Sequence, residues 1–216
     1  MGYKAVLFDL DGTLLDTLDD LTASVNYAMD QMNWPLRDKK EVRRFLGNGI
    51  KRLMELCSPS GISPEEFDKA FKLFKSHYDE HNQDTTKPYD GVIELMEKLK
   101  QHDIKMAIVS NKVASAVAML WEKYFDGLAQ IAIGDEPGLD RKPAPDSCEL
   151  ALKRLGIEKA DAVYVGDSEV DIATAKNTGV NCITVLWGFR DKDFLEEQGA
   201  TCFAETPEDI FKEVCR

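Results

Sequence analysis

A chain of 216 residues, 44% hydrophobic and 31% charged, carries enough apolar material for one large globular domain, or for one with a smaller domain inserted. Its net charge of −12 excludes a surface built to hold nucleic acid or an anionic membrane. An anionic small molecule remains open, because a metal or a lysine can reverse the sign inside a site. The cysteines, Cys57, Cys148, Cys182, Cys202 and Cys215, form no CxxC pair, and neither a membrane-length apolar run nor a signal-peptide pattern is present. These features predict free thiols in a cytoplasmic protein with no membrane partner.

The first apolar run, residues 3–8, ends in Val6-Leu7-Phe8. Continuous apolar character marks a strand covered on both faces, as in a parallel sheet. Asp9-Leu10-Asp11-Gly12-Thr13 follows at once, placing two like charges at the end of a buried strand. The interval 17–87 holds helices and no convincing strand. Thr17, with Asp20 behind it, is a candidate cap for a helix with the apolar stripe Leu18, Leu21, Val25, Met29 and Met32, closed by Trp34-Pro35. Asp38 with Glu41 starts a second helix, and Ser63-Pro64-Glu65-Glu66 starts another whose apolar face is Phe67, Phe71, Phe74 and Tyr78. Between those starts, RRFLGNGIKRLM breaks a helical pair at Gly47-Asn48-Gly49.

Beyond residue 88, strand alternates with helix. Strands are predicted at 104–110, 128–134, 162–167 and 182–188. Helices are marked by Val92, Leu95, Met96 and Leu99, by Leu150, Leu152 and Leu155 before Gly156, and by a segment ending on Gly179. The pattern predicts a doubly wound parallel α/β sheet from residues 1–16 and 88–216, with an all-helical domain, 17–87, inserted after the first strand.

Ligands of such sheets bind beyond the C-terminal ends of the strands. Those ends carry Asp9, Asp11, Gly12 and Thr13; Ser110 and Asn111; and Asp167 with Asp171 four residues on, while Lys142 follows the third strand. Grouped carboxylates suit a hard cation, a lysine and small donors suit phosphate oxygens, and a carboxylate can attack phosphorus. Alternation along an extended backbone points Asp9 and Asp11 to one side. No GxxxxGK[ST] loop is present. Plainer readings stand beside these: an Asx turn for the first pair, a helix cap for Ser110 and Asn111, a solvated Lys142, and a first-turn acid for Asp171. His77 and His81 have a zinc-compatible spacing but no third ligand nearby in sequence, so a helix face is the expectation.

In order, DLDGTLLDT, IVSN, RKPAPD and GDSEVD resemble the motifs of the haloacid dehalogenase (HAD) superfamily, and the helical insert looks like its C1-type cap. The branch matched is the phosphoglycolate phosphatase-like hydrolases. The resemblance implies a HAD-like Rossmannoid core and a Mg2+-dependent phosphatase for a small phosphorylated metabolite, acting as a monomer or weak homodimer. Asp9 would be nucleophile and metal ligand. Asp11 would be general acid and then base, its backbone carbonyl on the metal. Ser110 and Asn111 would donate to phosphate, Gly12 and Thr13 would shape that cradle, and Lys142 would neutralise it. Asp167 would ligate the metal, and Asp171 would either reach it through water or position Lys142. Cap closure would hinge near residues 13–17 and 84–90, and Asn48, with Lys51 or Arg52, would contact the leaving group unless these are surface residues. Alternatives are a β-phosphoglucomutase-like phosphomutase, whose motif usually has valine where Thr13 stands, and a nucleotide- or pyrophosphate-directed phosphatase of the same superfamily.

Overall fold

In the computed structural model, which describes residues 2–216, the first apolar run is β1 (Ala5–Phe8), wholly buried. Two short extended pieces, β2 (Leu15–Asp16) and β3 (Lys87–Pro88), pair as a ribbon. Between them run α1 (Leu18–Gln31), α2 (Lys39–Phe45), α3 (Gly49–Cys57) and α4 (Pro64–His81). The chain then alternates through α5 (Val92–Gln101), β4 (Lys105–Val113), α6 (Ala114–Tyr124), β5 (Ile131–Asp135) and α7 (Asp146–Leu155). It continues through β6 (Ala162–Gly166), α8 (Glu169–Thr178), β7 (Asn181–Val185), α9 (Lys192–Glu197), β8 (Phe203–Ala204) and α10 (Pro207–Val214). Two compact units result: the chain to Leu14 with Pro88–Arg216, and Leu15–Lys87.

The first unit is built on a six-stranded parallel sheet in the order β5-β4-β1-β6-β7-β8. Leu7 lies opposite Ala107 on one side and Tyr164 on the other, so β1 has a partner along both edges. Leu7, Val109 and Tyr164 pack with Cys148, Ala151, Leu152 and Leu155 of α7. The alternate residues Val6, Phe8, Met106, Ile108, Val163 and Val165 are also buried. Both faces are therefore covered, which is why these strands read as unbroken apolar runs.

The fourth strand departs from the sequence reading. It stays extended through Val113, with a register shift against β5 after Val109. Ser110 and Asn111 therefore lie on an irregular strand end, not at a helix cap, and such a bulge re-aims side chains. Gly134 permits the close approach, since a Cβ there would sit 2.5 Å from Ala114 Cα and 2.7 Å from the Lys112 carbonyl oxygen. The strands predicted at 128–134 and 182–188 also shift, to Ile131–Asp135 and Asn181–Val185.

In the helical unit, Val25 and Met29 of α1, Val42 of α2, Leu53 and Met54 of α3, and Ala70 and Phe74 of α4 are buried. The rings from Phe67 to Tyr78 stack in series along α4, although Phe67 and Phe71 are only half-buried. Asp38 with Glu41 and Ser63 with Glu66 form the reciprocal capping boxes read from the sequence. Thr17 does not cap: its hydroxyl is buried without a partner, and the Leu18 N–H goes to Asp16 Oδ1 at 3.2 Å. Asp20 turns instead to the returning chain. Its carboxylate accepts from the Thr85 N–H and hydroxyl at 2.9 and 2.5 Å and from those of Thr86 at 2.9 and 2.7 Å. Burial would push this carboxyl up, but the hydrogen bonds hold it below the usual carboxylate range. No helix among the described residues is long and apolar enough to cross a membrane.

Candidate active site

Because β4, β1 and β6 are neighbours, Ser110, Asp9 and Asp167 emerge at adjacent strand ends. Lys142 arrives on the loop between β5 and α7, and the Asn111 amide fixes that loop. Asn111 Nδ2 donates to the Lys142 carbonyl at 3.0 Å, and the Lys142 N–H donates to Asn111 Oδ1 at 2.8 Å. Arg141 adds a bond to the Asn111 carbonyl at 2.9 Å. The Asn111 side chain thus holds the lysine loop. Ser110 is buried, and its oxygen accepts the Lys112 N–H at 3.1 Å.

The buried Lys142 ammonium touches three groups: Asp9 Oδ1 at 2.5 Å, Asp171 Oδ1 at 2.8 Å and Tyr164 Oη at 2.9 Å. Tyr164 in turn donates to Asp171 Oδ1 at 3.0 Å. The other oxygen of Asp171 accepts from the Ser168 hydroxyl at 2.6 Å and from the N–H groups of Ser168 and Asp167 at 3.1 and 3.2 Å. With both oxygens engaged, Asp171 positions Lys142 and ties down the start of α8.

Electrostatics separate the carboxylates. Burial pushes the Asp9 carboxyl up, to about 7, against the pull of Lys142. Burial and the nearby Asp171 and Asp9 raise Asp167 as well. Burial opposes ionisation of Asp171 too, yet contact with Lys142 holds it below its usual range. Lys142 is raised, since the attraction of Asp171 and Asp9 exceeds its burial penalty. Lys142 thus touches two of three carboxylates whose oxygens lie within 4.8 Å of one another, which among the described residues is the one such cluster. Thr13 Oγ1 stands 3.4 Å from Asp9 Oδ2 and 3.5 Å from Asp167 Oδ1, long contacts that leave both oxygens underused. Two underused carboxylate oxygens in an over-negative pocket fit a divalent cation that prefers oxygen ligands. Asp9 and Asp167 would hold it.

The segment after β7 closes around this cluster. The Phe189 N–H donates to Asp167 Oδ2 at 2.6 Å, and Trp187 Nε1 donates to the Thr13 carbonyl at 3.0 Å. Gly12 has φ of 90°, and a Cβ on it would lie 2.5 Å from Asp167 Oδ2. A Cβ on Gly188 would lie 2.3 Å from Asp167 Cβ. Asp11 pairs with Lys112, Nζ to Oδ1 at 3.3 Å, with side chains 9% and 23% exposed for the lysine and the aspartate. Asn48, Lys51 and Arg52 are exposed on the helical unit, and Arg52 pairs with Glu55 at 3.0 Å.

Tyr164, Lys112 and the Phe189 backbone were not among the residues singled out from the sequence. Tyr164 lay inside an apolar run, and only the contacts of its hydroxyl with Lys142 and Asp171 join it to the site. Lys112, one place beyond Ser110-Asn111, was legible had the strand been read as continuing.

A model of the family described as haloacid dehalogenase-like hydrolase matches residues 6–185, a span that includes every residue of the cluster. The chain belongs to this family. It is 33% identical to phosphoglycolate phosphatase 1 of Pseudomonas aeruginosa, over 96% of this chain and 78% of that one. To the phosphoglycolate phosphatase of Colwellia psychrerythraea it is 31% identical, over 93% and 92%. A solved structure named "putative phosphoglycolate phosphatase", from Lactobacillus delbrueckii subsp. bulgaricus, superposes with a TM-score of 0.95 at 36% identity, covering 99% of each chain. The fold and family expected from the motifs agree with these likenesses.

Proposed function

We propose that this family member is a magnesium-dependent phosphatase that hydrolyses a small phosphomonoester through an aspartyl-phosphate on Asp9, with phosphoglycolate the substrate suggested by its relatives' names. The observation that carries the reading is the Lys142 ammonium joining Asp9 to Asp171, beside an Asp167 left open for metal. Mg2+ bound by Asp9 and Asp167 would offset phosphate charge and keep Asp9 ionised. Lys142 orients Asp9 Oδ1 and attracts the phosphate oxygens. The Ser110 hydroxyl donates a hydrogen bond to one of them. Asp9 attacks phosphorus while Asp11 gives a proton to the departing alkoxide. Asp11 then takes a proton from the water that cleaves the acyl-phosphate, freeing Asp9 and inorganic phosphate. The helical unit Leu15–Lys87 would be the cap domain of this family, whose closure excludes water during the first step.

A panel of phosphomonoesters with Mg2+ tests the reading. Turnover should be lost in EDTA, return with Mg2+, and be absent in Asp9→Asn. Hydroxylamine should trap an acyl-phosphate from the wild type. Full activity in EDTA, or an active Asp9→Asn protein, contradicts it.

A further inference from the structure

The family motifs give no task to Lys112, yet the structure gives it a place. Its ammonium lies 3.3 Å from Asp11 Oδ1, and its side chain is almost fully shielded. The preceding turn fixes its backbone, since the Lys112 N–H is held by Ser110 Oγ at 3.1 Å. Lys142, the other lysine of the pocket, is committed to Asp9, Asp171 and Tyr164. The two lysines therefore face different parts of the substrate. A general acid must stand within hydrogen-bond reach of the oxygen it protonates. If Asp11 is that acid, the Lys112 ammonium stands one carboxyl group away from the leaving oxygen, on the side where the alcohol departs.

We infer that Lys112 selects an anionic leaving group, by pairing with a carboxylate carried close to the ester oxygen. This deepens the phosphatase reading and rests on it. A shielded ammonium favours such a pair strongly, because few waters compete for either charge. The aspartate would then share the lysine with the substrate. A neutral alcohol gains nothing from the same group. Selectivity is thereby assigned to the sheet unit, in a residue anchored by the strand that also carries Ser110. It does not depend on the exposed Asn48, Lys51 and Arg52 of the helical unit.

The test compares phosphoglycolate with ethyl phosphate, which has the same short leaving group without the carboxylate, in wild type, Lys112→Met and Lys112→Arg with Mg2+. The readout is the ratio of the two kcat/KM values, from which any general damage to Asp11 cancels. In Lys112→Met the ratio should fall at least about 10-fold, as expected for loss of one member of a shielded charge pair. It should recover largely in Lys112→Arg. Binding gives a second readout: in an Asp9→Asn background, Lys112→Met should weaken phosphoglycolate but not inorganic phosphate. An unchanged ratio, or equal losses on both substrates and on phosphate, overturns the assignment. A wild type that hydrolyses no member of the phosphomonoester panel with Mg2+ overturns the phosphatase reading itself, which keeps the two failures distinct.

Discussion

Replacing Lys142 with methionine keeps most of the side chain's length and removes its charge. Asp9, Asp167 and Asp171 then face one another within 4.8 Å, all buried, without the ammonium that now touches two of them. Stripping one partner from a buried ion pair costs about 3–5 kcal/mol. For a chain of this size that lowers the melting temperature by about 10 °C. The pH dependence has a definite sign. In the wild type Asp171 is held below its usual range, so it contributes stability above the ordinary carboxyl pKa, lost only as pH falls through the lowered value. In the variant the largest opposition to burial is gone and only the hydrogen bonds from Ser168 and Tyr164 remain, so the Asp171 pKa rises, and Asp9 shifts further the same way. Folding then takes up protons, and the variant recovers stability as the pH falls from about 7 to about 5. Urea unfolding in EDTA, followed by circular dichroism at both pH values, measures the difference between the two proteins. It should be about 3–5 kcal/mol at the higher pH and clearly smaller at the lower. A difference below about 1 kcal/mol at both would refute the claim that Lys142 makes the carboxylate cluster tolerable.

Gly188→Ala forces a Cβ to within 2.6 Å of the Gly12 carbonyl oxygen and 2.4 Å of Asp167 Oδ2. Displacing Asp167 should cut turnover about 10-fold or more and shift the Mg2+ titration of activity to higher concentration; an unchanged titration counts against Asp167 as ligand. Tyr164→Phe removes a donor to Asp171 and an acceptor for Lys142, and should cost about 1 kcal/mol in urea unfolding with a few-fold loss of kcat. Asp20→Ala strands four donors of Thr85 and Thr86 and should cost about 2–4 kcal/mol near neutral pH. Since the Asp20 carboxyl is held low, its stabilisation exists above the ordinary carboxyl pKa and fades as the pH falls through the lowered value. The gap between wild type and variant in thermal unfolding should narrow in acid for that reason.

Much of the site was legible because its residues sit where buried strands end, and buried strands announce themselves as apolar runs. Asp9, Ser110 and Asp167 were found that way, and Lys142 from the loop beyond the next strand. The capping boxes at Asp38 and Ser63 were equally plain, since each is complete within four residues. What escaped was non-local. The hydroxyl of Tyr164 gains meaning only through a lysine 22 positions away, and the Asn111 amide through a loop 31 positions away. Asp20 resembled a capping acid, but its partners lie 65 and 66 residues on. Nothing local distinguishes an aspartate that caps its own helix from one that clasps a distant segment. The extension of β4 was hidden for the opposite reason: Ser110 and Asn111 are ordinary cap residues, and only the packing at Gly134 shows the strand running on.

The central place of β1 also bears on how the chain comes into being. Leu7 pairs with Ala107 and with Tyr164 and has no partner strand nearer in sequence within the sheet. During synthesis the segment bearing the proposed nucleophile therefore leaves the ribosome long before either neighbour exists, and such distant parallel pairings close slowly. The helices of 15–87 carry their own buried residues and can form in that interval. An apolar strand tipped with Asp9 must meanwhile wait unpaired, exposed to misassociation until β6 has emerged. Conditions that slow elongation between residues 105 and 162 would lengthen that wait, making the protein's yield in cells sensitive to a stretch of its message far from the codon for Asp9.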